Sequence, residues 1–288
     1  MHTPVLLKEV LTFLAPGPGE FIIDGTINGG GHAREIYKKI SPGGTLLGID
    51  WDLEIVKETA EKIKSQESEV ILICDNYAHA IKALIEKETK ADGLLLDLGF
   101  STEQMENSGR GFSFQKDEPL LMTYSRESKP VAEIIKEKTE IELASIIFEL
   151  GGERRSRKIA KAIKAEKRIT SSKQLADVIS RAVSKNYERG RIHPATRTFQ
   201  ALRIYANDEL NNLEKALKNI PQLLKTNGRA VIISFHSLED RIVKNYFRDY
   251  KKEKIVEVLT KKPIEPTREE VKENPKSRSA KLRAIKKI

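Results

Sequence analysis

Two strand-tip acids and a glycine turn are the residues of this chain best placed to do chemistry. The segment FIIDGTINGGGH, Phe21 to His32, reads as an apolar strand ending in Asp24, a glycine-rich turn, and a helix starting near His32. A second apolar stretch, TLLGIDWD, Thr45 to Asp52, closes on Asp50 about twenty residues further on, the spacing of a nucleoside-binding βαβ unit. An acid at that tip can accept both hydroxyl protons of a ribose. Gly29, Gly30 and Gly31 can take positive φ and let a ligand approach the main chain where a Cβ would collide. The turn does not spell G-x-G-x-x-G, which disfavours a dinucleotide.

A third acid, Asp97 in DGLLLDLGF (Asp92 to Phe100), would be costly to bury unpaired, so it should face the crevice at the strand ends and hold a polar group. Tyr77 follows a third strand, where its ring can cover an adenine face or fill the core. His193 and His236 invite a catalytic reading, since an imidazole is the side chain suited to moving protons near working pH. For His193 a hydrogen-bonded structural role is expected; for His236, at the end of a fifth strand beside Asp97, catalytic and structural roles stay open. Asn28, His2, His32, Asp24 and Glu9 show no metal-site spacing, so no metal is expected.

These residues need a parallel sheet to position them. Strands are predicted at Phe21 to Thr26, Thr45 to Asp50, Glu69 to Asp75 and Asp92 to Gly99, alternating with helices at Ala33 to Ile40, Leu53 to Lys64 and Tyr77 to Glu88. After Gly99 the rhythm breaks into helical patterns only: Val131 to Lys136, Ile141 to Leu150, Glu153 to Lys167 and Ser172 to Tyr187. The α/β pattern resumes with a helix from about Phe199 to Leu224, broken or bent near Pro221. A turn at Asn227-Gly228, a strand Ala230 to Phe235 and a helix Leu238 to Tyr250 follow. Two last strands, Ile255 to Thr260 and Ala280 to Ile285, are expected to pair without a helix between them. Seven strands of this kind are the inventory of the class I (Rossmann-like) methyltransferase fold, α/β and mostly parallel. The division expected is 1–107 with 200–288 as a discontinuous domain, and 108–199 as an inserted helical, substrate-recognition domain.

The 288 residues carry 39% hydrophobic content and a net charge of +9. They can bury a sizeable core, and the basic balance favours a polyanionic partner. Glu153 to Arg168 holds eight Lys or Arg against two Glu, and the segment from Lys251 onward thirteen against six acids. Arg154, Arg155, Arg157 and Arg197 are candidate RNA contacts, with solvated or ion-paired roles open for each. No apolar run approaches the roughly 20 residues of a membrane span, and the N-terminus lacks a signal-peptide layout, so a cytoplasmic protein is expected. Cys74, the single cysteine, reads as a buried bystander of its strand.

Five motifs in order carry a resemblance: HTPVLLKEV (His2 to Val10), the glycine turn, DGLLLDLGFSTEQ (Asp92 to Gln104) with RGFSF (Arg110 to Phe114), HPATRTFQALRI (His193 to Ile204) and SFHSLEDRIVK (Ser234 to Lys244). With the terminal NPKSRSAKLRA, Asn274 to Ala284, they cover nearly the whole chain. The chain resembles the bacterial 16S ribosomal RNA cytosine-N4 methyltransferase family called RsmH or MraW. That resemblance implies S-adenosyl-L-methionine as donor and a cytidine of 16S rRNA at the decoding centre of the small ribosomal subunit as acceptor; a homodimer stays open, since the sequence does not give the oligomeric state. It implies cofactor contacts at Gly30, Gly31, His32, Asp50, Tyr77, Asp97 and Gln104. Asp97 is also the candidate to draw on the cytosine amine, and Phe100, Phe112 or Phe114 could stack on the base, a core role being expected more often for each. The chain departs from the family at Leu121 and Thr123, where an Asp and an Arg are usual, at Asn28, a common glycine, and at Gly152. The same chemistry on another RNA or on DNA, and a non-catalytic assembly factor, remain compatible with these residues.

Overall fold

The computed structural model describes residues 4–63, 67–99, 108–125, 127–183, 187 and 192–288. Two compact units emerge, Met1–Gly99 with Leu210–Ile288, and Phe100–Glu209. No helix among the described residues is long and apolar enough to cross a membrane.

The first unit is a seven-stranded sheet. Its strands are β1 (Phe21–Asp24), β2 (Thr45–Asp50), β3 (Glu69–Cys74), β4 (Ala91–Asp97), β5 (Leu224–Ser234), β6 (Val256–Val258) and β7 (Lys281–Lys287), ordered β3-β2-β1-β4-β5-β7-β6. The first five pair in parallel, while β7 runs antiparallel to both β5 and β6. The helices are α1 (Leu7–Leu14), α2 (Gly31–Ile40), α3 (Leu53–Lys62), α4 (Tyr77–Glu86), α10 (Glu209–Leu223), α11 (Ser237–Lys252) and α12 (Arg268–Glu273). Central strands read as unbroken apolar runs because both faces are covered. Ile23, Leu94, Leu96 and Ile232 belong to one buried cluster with α4, α10 and α11, and Ile22, Leu95, Val231 and Ile233 to another with α1 and α2.

Several expectations are corrected here. The long helix from Phe199 does not bend at Pro221; it stops at Asn207, and α10 starts anew at Glu209, with Asp208 left-handed at φ 50. Pro221 sits inside α10 at little disturbance, since the Leu217 carbonyl it leaves without a partner accepts the Tyr250 hydroxyl at 3.1 Å. Asn227-Gly228 is an irregularity within β5, where the register against β4 shifts, rather than a turn before it. A short helix, α12, and a 3₁₀ turn at Pro275–Ser279 separate β6 from β7. Cys74 is exposed, because β3 is the edge strand. The sequence pattern also gave no sign of α1, whose buried Leu14 lies over Gly93 of β4, where a Cβ would collide with it.

The second unit is helical: α5 (Val131–Glu137), α6 (Glu140–Gly151), α7 (Ser156–Ala165), α8 (Ser172–Ala182) and α9 (Thr196–Ala206). Thr139 and Ser171 head α6 and α8 with capping boxes, each offering its oxygen to the third residue's N–H and taking that side chain in return. Ahead of them a buried loop is tied down by Arg110, whose guanidinium donates to the carbonyls of Thr123 and Tyr124. The departures at Leu121 and Thr123 lie here. Met122 and Thr123 are buried, and the Tyr124 hydroxyl donates to Glu209, which also holds Arg203 through two hydrogen bonds of 2.9 and 3.0 Å. Gly152 has φ 64 and closes α6 in the left-handed conformation that glycine takes without strain.

Candidate active site and nucleic-acid face

In the first unit, Asp24, Asp50 and Asp97 stand at the C-terminal ends of β1, β2 and β4, the rim at which open α/β sheets bind ligands. All three are buried, at 1%, 8% and 9% exposure. The turn after β1 binds them together. Asp24 accepts the Thr26 N–H through Oδ1 at 3.2 Å, and the Thr26 hydroxyl oxygen accepts the Asp97 N–H at 2.6 Å. Asn28, left-handed at φ 45, donates its N–H to Asp50 and its side-chain amide to the Asp97 carbonyl, at 3.2 and 3.1 Å. Sequence reasoning missed Thr26 and Asn28 as organisers. The signal available was a polar pair inside a glycine turn, since Asn tolerates left-handed geometry and keeps an amide to spend.

Burial dominates the electrostatics. It raises the Asp24 carboxyl to about 7, with the Asp50 charge adding and the Thr26 N–H opposing. Asp50 rises to about 6 by burial, against the N–H groups of Asp52 and Asn28. Burial pushes Asp97 well above the carboxylate range, helped by the charges of Asp24 and Glu239. Asp24 Oδ2 and Asp97 Oδ1 have no hydrogen-bond partner among the described residues. His32, lowered to about 4 by burial, points Nε2 at the Val5 carbonyl at 2.9 Å. A carbonyl only accepts, so Nε2 carries the proton and the Nδ1 lone pair faces Asp97 Oδ2 at 3.6 Å. Two neighbours facing one another this way are compatible when Asp97 holds a proton.

The glycines divide their tasks differently from expectation. Gly29 and Gly30 both have φ 82, but Gly31 does not have positive φ. A Cβ on Gly30 would press on Thr59 of α3, and one on Gly31 on Pro4, so these two close backbone packing; Gly29 faces open space. Tyr77 is half-buried against the apolar cluster beside Gly25. His236 is the N-cap of α11. Its Nδ1 accepts the Glu239 N–H, while Glu239 takes the N–H groups of Phe235 and His236, so the imidazole caps the helix through Nδ1, with Nε2 3.1 Å from a Glu239 oxygen. Gln104, His2 and Phe100 lie outside the described residues.

In the second unit, Arg154, Arg155, Arg157, Lys158 and Lys161 are exposed along the start and outer face of α7. Arg197 is different: its guanidinium lies 4.0 Å from buried Glu153, which also accepts the Tyr187 hydroxyl and the Arg155 N–H. Phe112 is buried and stacked on Tyr124 at 5.5 Å, which makes it core and not a base platform. Phe114 is stacked on His193.

A sheet with β7 inserted antiparallel between β5 and β6, and acids at the tips of its parallel strands, defines a class I methyltransferase. The profile of the MraW methylase family matches residues 1–288, and the chain belongs to that family. Among its relatives, "Ribosomal RNA small subunit methyltransferase H" of Pelobacter propionicus is 43% identical over all of this chain and 98% of its own length. The protein of the same name from Thermotoga neapolitana is 46% identical over 98% of this chain and 95% of its own. A crystal structure of an rRNA methylase from Streptococcus thermophilus aligns over the whole chain and 99% of its own length, at 8% identity and a TM-score of 0.47.

Proposed function

We propose that this protein methylates the exocyclic N4 of a cytidine in 16S RNA at the decoding centre of the small ribosomal subunit, with S-adenosylmethionine as donor. Membership of the MraW methylase family over residues 1–288 makes the chain a ribosomal RNA methyltransferase; the atom and position are the finer part of the proposal. The observation that carries the site is the convergence of three buried acids on one sheet rim, two with an oxygen lacking any partner among the described residues. Such oxygens suit a ligand bearing positive charge and hydroxyl donors, which the cofactor's sulfonium, ammonium and ribose provide.

S-adenosylmethionine, when bound, supplies an electrophilic methyl group. Asp50 is assigned the ribose hydroxyls, Tyr77 the adenine, and the Gly29–Gly31 turn with His32 the approach to the main chain; Gln104 stays a candidate by its motif alone. Asp97 has two tasks. In its ionised form it accepts an amino hydrogen of cytosine, returning the ring-conjugated lone pair to the nitrogen, and it later takes the proton released there. Positive charge brought by the ligand favours that ionised form. The helical unit with α7 is assigned to RNA recognition. Self-association is supported by the β3 edge, where Ile71 and Ile73 are 40% and 37% exposed without a proline or lysine to blunt it.

The test is transfer of labelled methyl to small subunits lacking the modification, followed by nucleoside mapping. Label is expected in N4-methylcytidine; label elsewhere, or only in another RNA, overturns the assignment. With cofactor and RNA both saturating, Asp97→Asn should slow single turnover by roughly a hundredfold. A rate restored by saturation would leave Asp97 a cofactor ligand alone.

A further inference from the structure

The motifs RGFSF and HPATRTFQ meet in the helical unit in a way the cofactor site does not use. The imidazole of His193 lies nearly parallel on the ring of Phe114, at 4.4 Å between centroids and 14° between planes. Phe114 in turn meets buried Phe199 of α9 edge-on at 5.5 Å. This makes a pile of three rings whose lowest member is fixed in the core. The uppermost is exposed: His193 stands in solvent ahead of α9. Its orientation is set as well, because Nδ1 accepts the Ala195 N–H at 3.2 Å while its own carbonyl accepts the Thr196 N–H. That bond makes Nδ1 the acceptor nitrogen and leaves Nε2 as a donor pointing away from the cap.

An exposed flat ring held in one orientation costs little further entropy to stack upon. Its surroundings specify the occupant. Gly151, the last residue of α6, packs against the Arg197 carbonyl in the first turn of α9, where no Cβ would fit. The exposed cations Arg154 and Arg155 come three and four residues after Gly151 in the chain. A π-face and a cluster of exposed positive charge at one end of three helices match a base and its phosphates.

We propose that His193 is a stacking platform for a nucleobase of the RNA substrate, backed by Phe114 and Phe199. This rests on the RNA-methylating reading above, and it adds a residue that orders the RNA strand without touching the cofactor. The probe is a short labelled oligocytidylate titrated into the full-length protein at several KCl concentrations, with methyl transfer to unmodified small subunits measured beside it. His193→Ala should weaken oligocytidylate binding roughly ten- to a hundredfold with the wild-type salt slope, since a lost stack removes no phosphate contact. His193→Phe should bind within about threefold of wild type, because it keeps the π-face. His193→Leu, of similar bulk but without that face, should bind as weakly as His193→Ala. Should His193→Ala unfold, the comparison of Phe with Leu decides. Equal binding by these two, or wild-type binding by His193→Ala, overturns the platform while leaving methyl transfer by the wild type intact. A wild type that neither binds the probe nor methylates subunits overturns the RNA reading and the platform together.

Discussion

Asp24 shows how a single buried acid sets the pH behaviour of this fold. Its carboxyl is raised to about 7 in the folded chain, against 3.8 as the ordinary value, because burial penalises its charge. A raised folded value means that its contribution to stability is complete below the unfolded value and is lost as pH climbs through about 7. Asp50 and Asp97 shift in the same direction. His32 is lowered to about 4, so its effect runs the other way but is confined to the acid side, as pH falls from 6.5. Urea unfolding of the cofactor-free protein should therefore show stability falling by on the order of a few kcal/mol between about pH 5.5 and pH 8.5. Asp24→Asn should remove its share of that fall below about pH 7, leaving what Asp50 and Asp97 contribute. A stability that rises with pH over this window would contradict the buried, unpaired state of the acid.

At the scale of elements, what the sequence disclosed depended on whether the cause was local. β2 matches its predicted span because an apolar run closes on an acid, and α3 begins where expected because Asp52 accepts the Glu54 N–H as its cap. Asp50 and Asp97 were legible for the same reason: a carboxylate ending an apolar strand has few places to go. The break between α9 and α10 was not legible. Its cause is Asn207, whose side chain donates to the Met122 carbonyl and accepts the Tyr124 N–H from a loop more than eighty residues earlier in the chain. Cys74 was misjudged because a strand's place in the sheet is a property of topology and not of its own residues. Asn28 and Thr26 were passed over because their partners lie on other strands. The Pro221 helix offers a test of such tertiary compensation. Tyr250→Phe leaves the Leu217 carbonyl without its donor, and should cost about 0.5–1.5 kcal/mol in thermal or urea unfolding. No change in stability would mean that solvent serves that carbonyl equally well.

For the whole molecule, part of the net charge of +9 is concentrated at the start of α7, where Arg154, Arg155 and Arg157 are exposed. Replacing Arg154, Arg155 and Arg157 with glutamine should weaken RNA binding and reduce the slope of log affinity against log salt by roughly two units, leaving cofactor affinity unchanged by calorimetry. An unaltered slope would place the phosphate contacts elsewhere. The order in which the chain emerges has its own consequence. β4 ends at Asp97, while β5, its outer neighbour, begins only at Leu224, with all of Phe100–Glu209 made in between. At about 5 to 20 residues per second, a ribosome leaves the outer edge of β4 waiting on the order of ten seconds for its partner. Through that interval the newborn chain presents an apolar half-sheet, β3-β2-β1-β4, with an unsatisfied row of backbone groups open to any strand nearby. The period of greatest risk to this protein thus falls during its own translation, and crowding of polysomes under forced expression should send the loss into inclusion bodies.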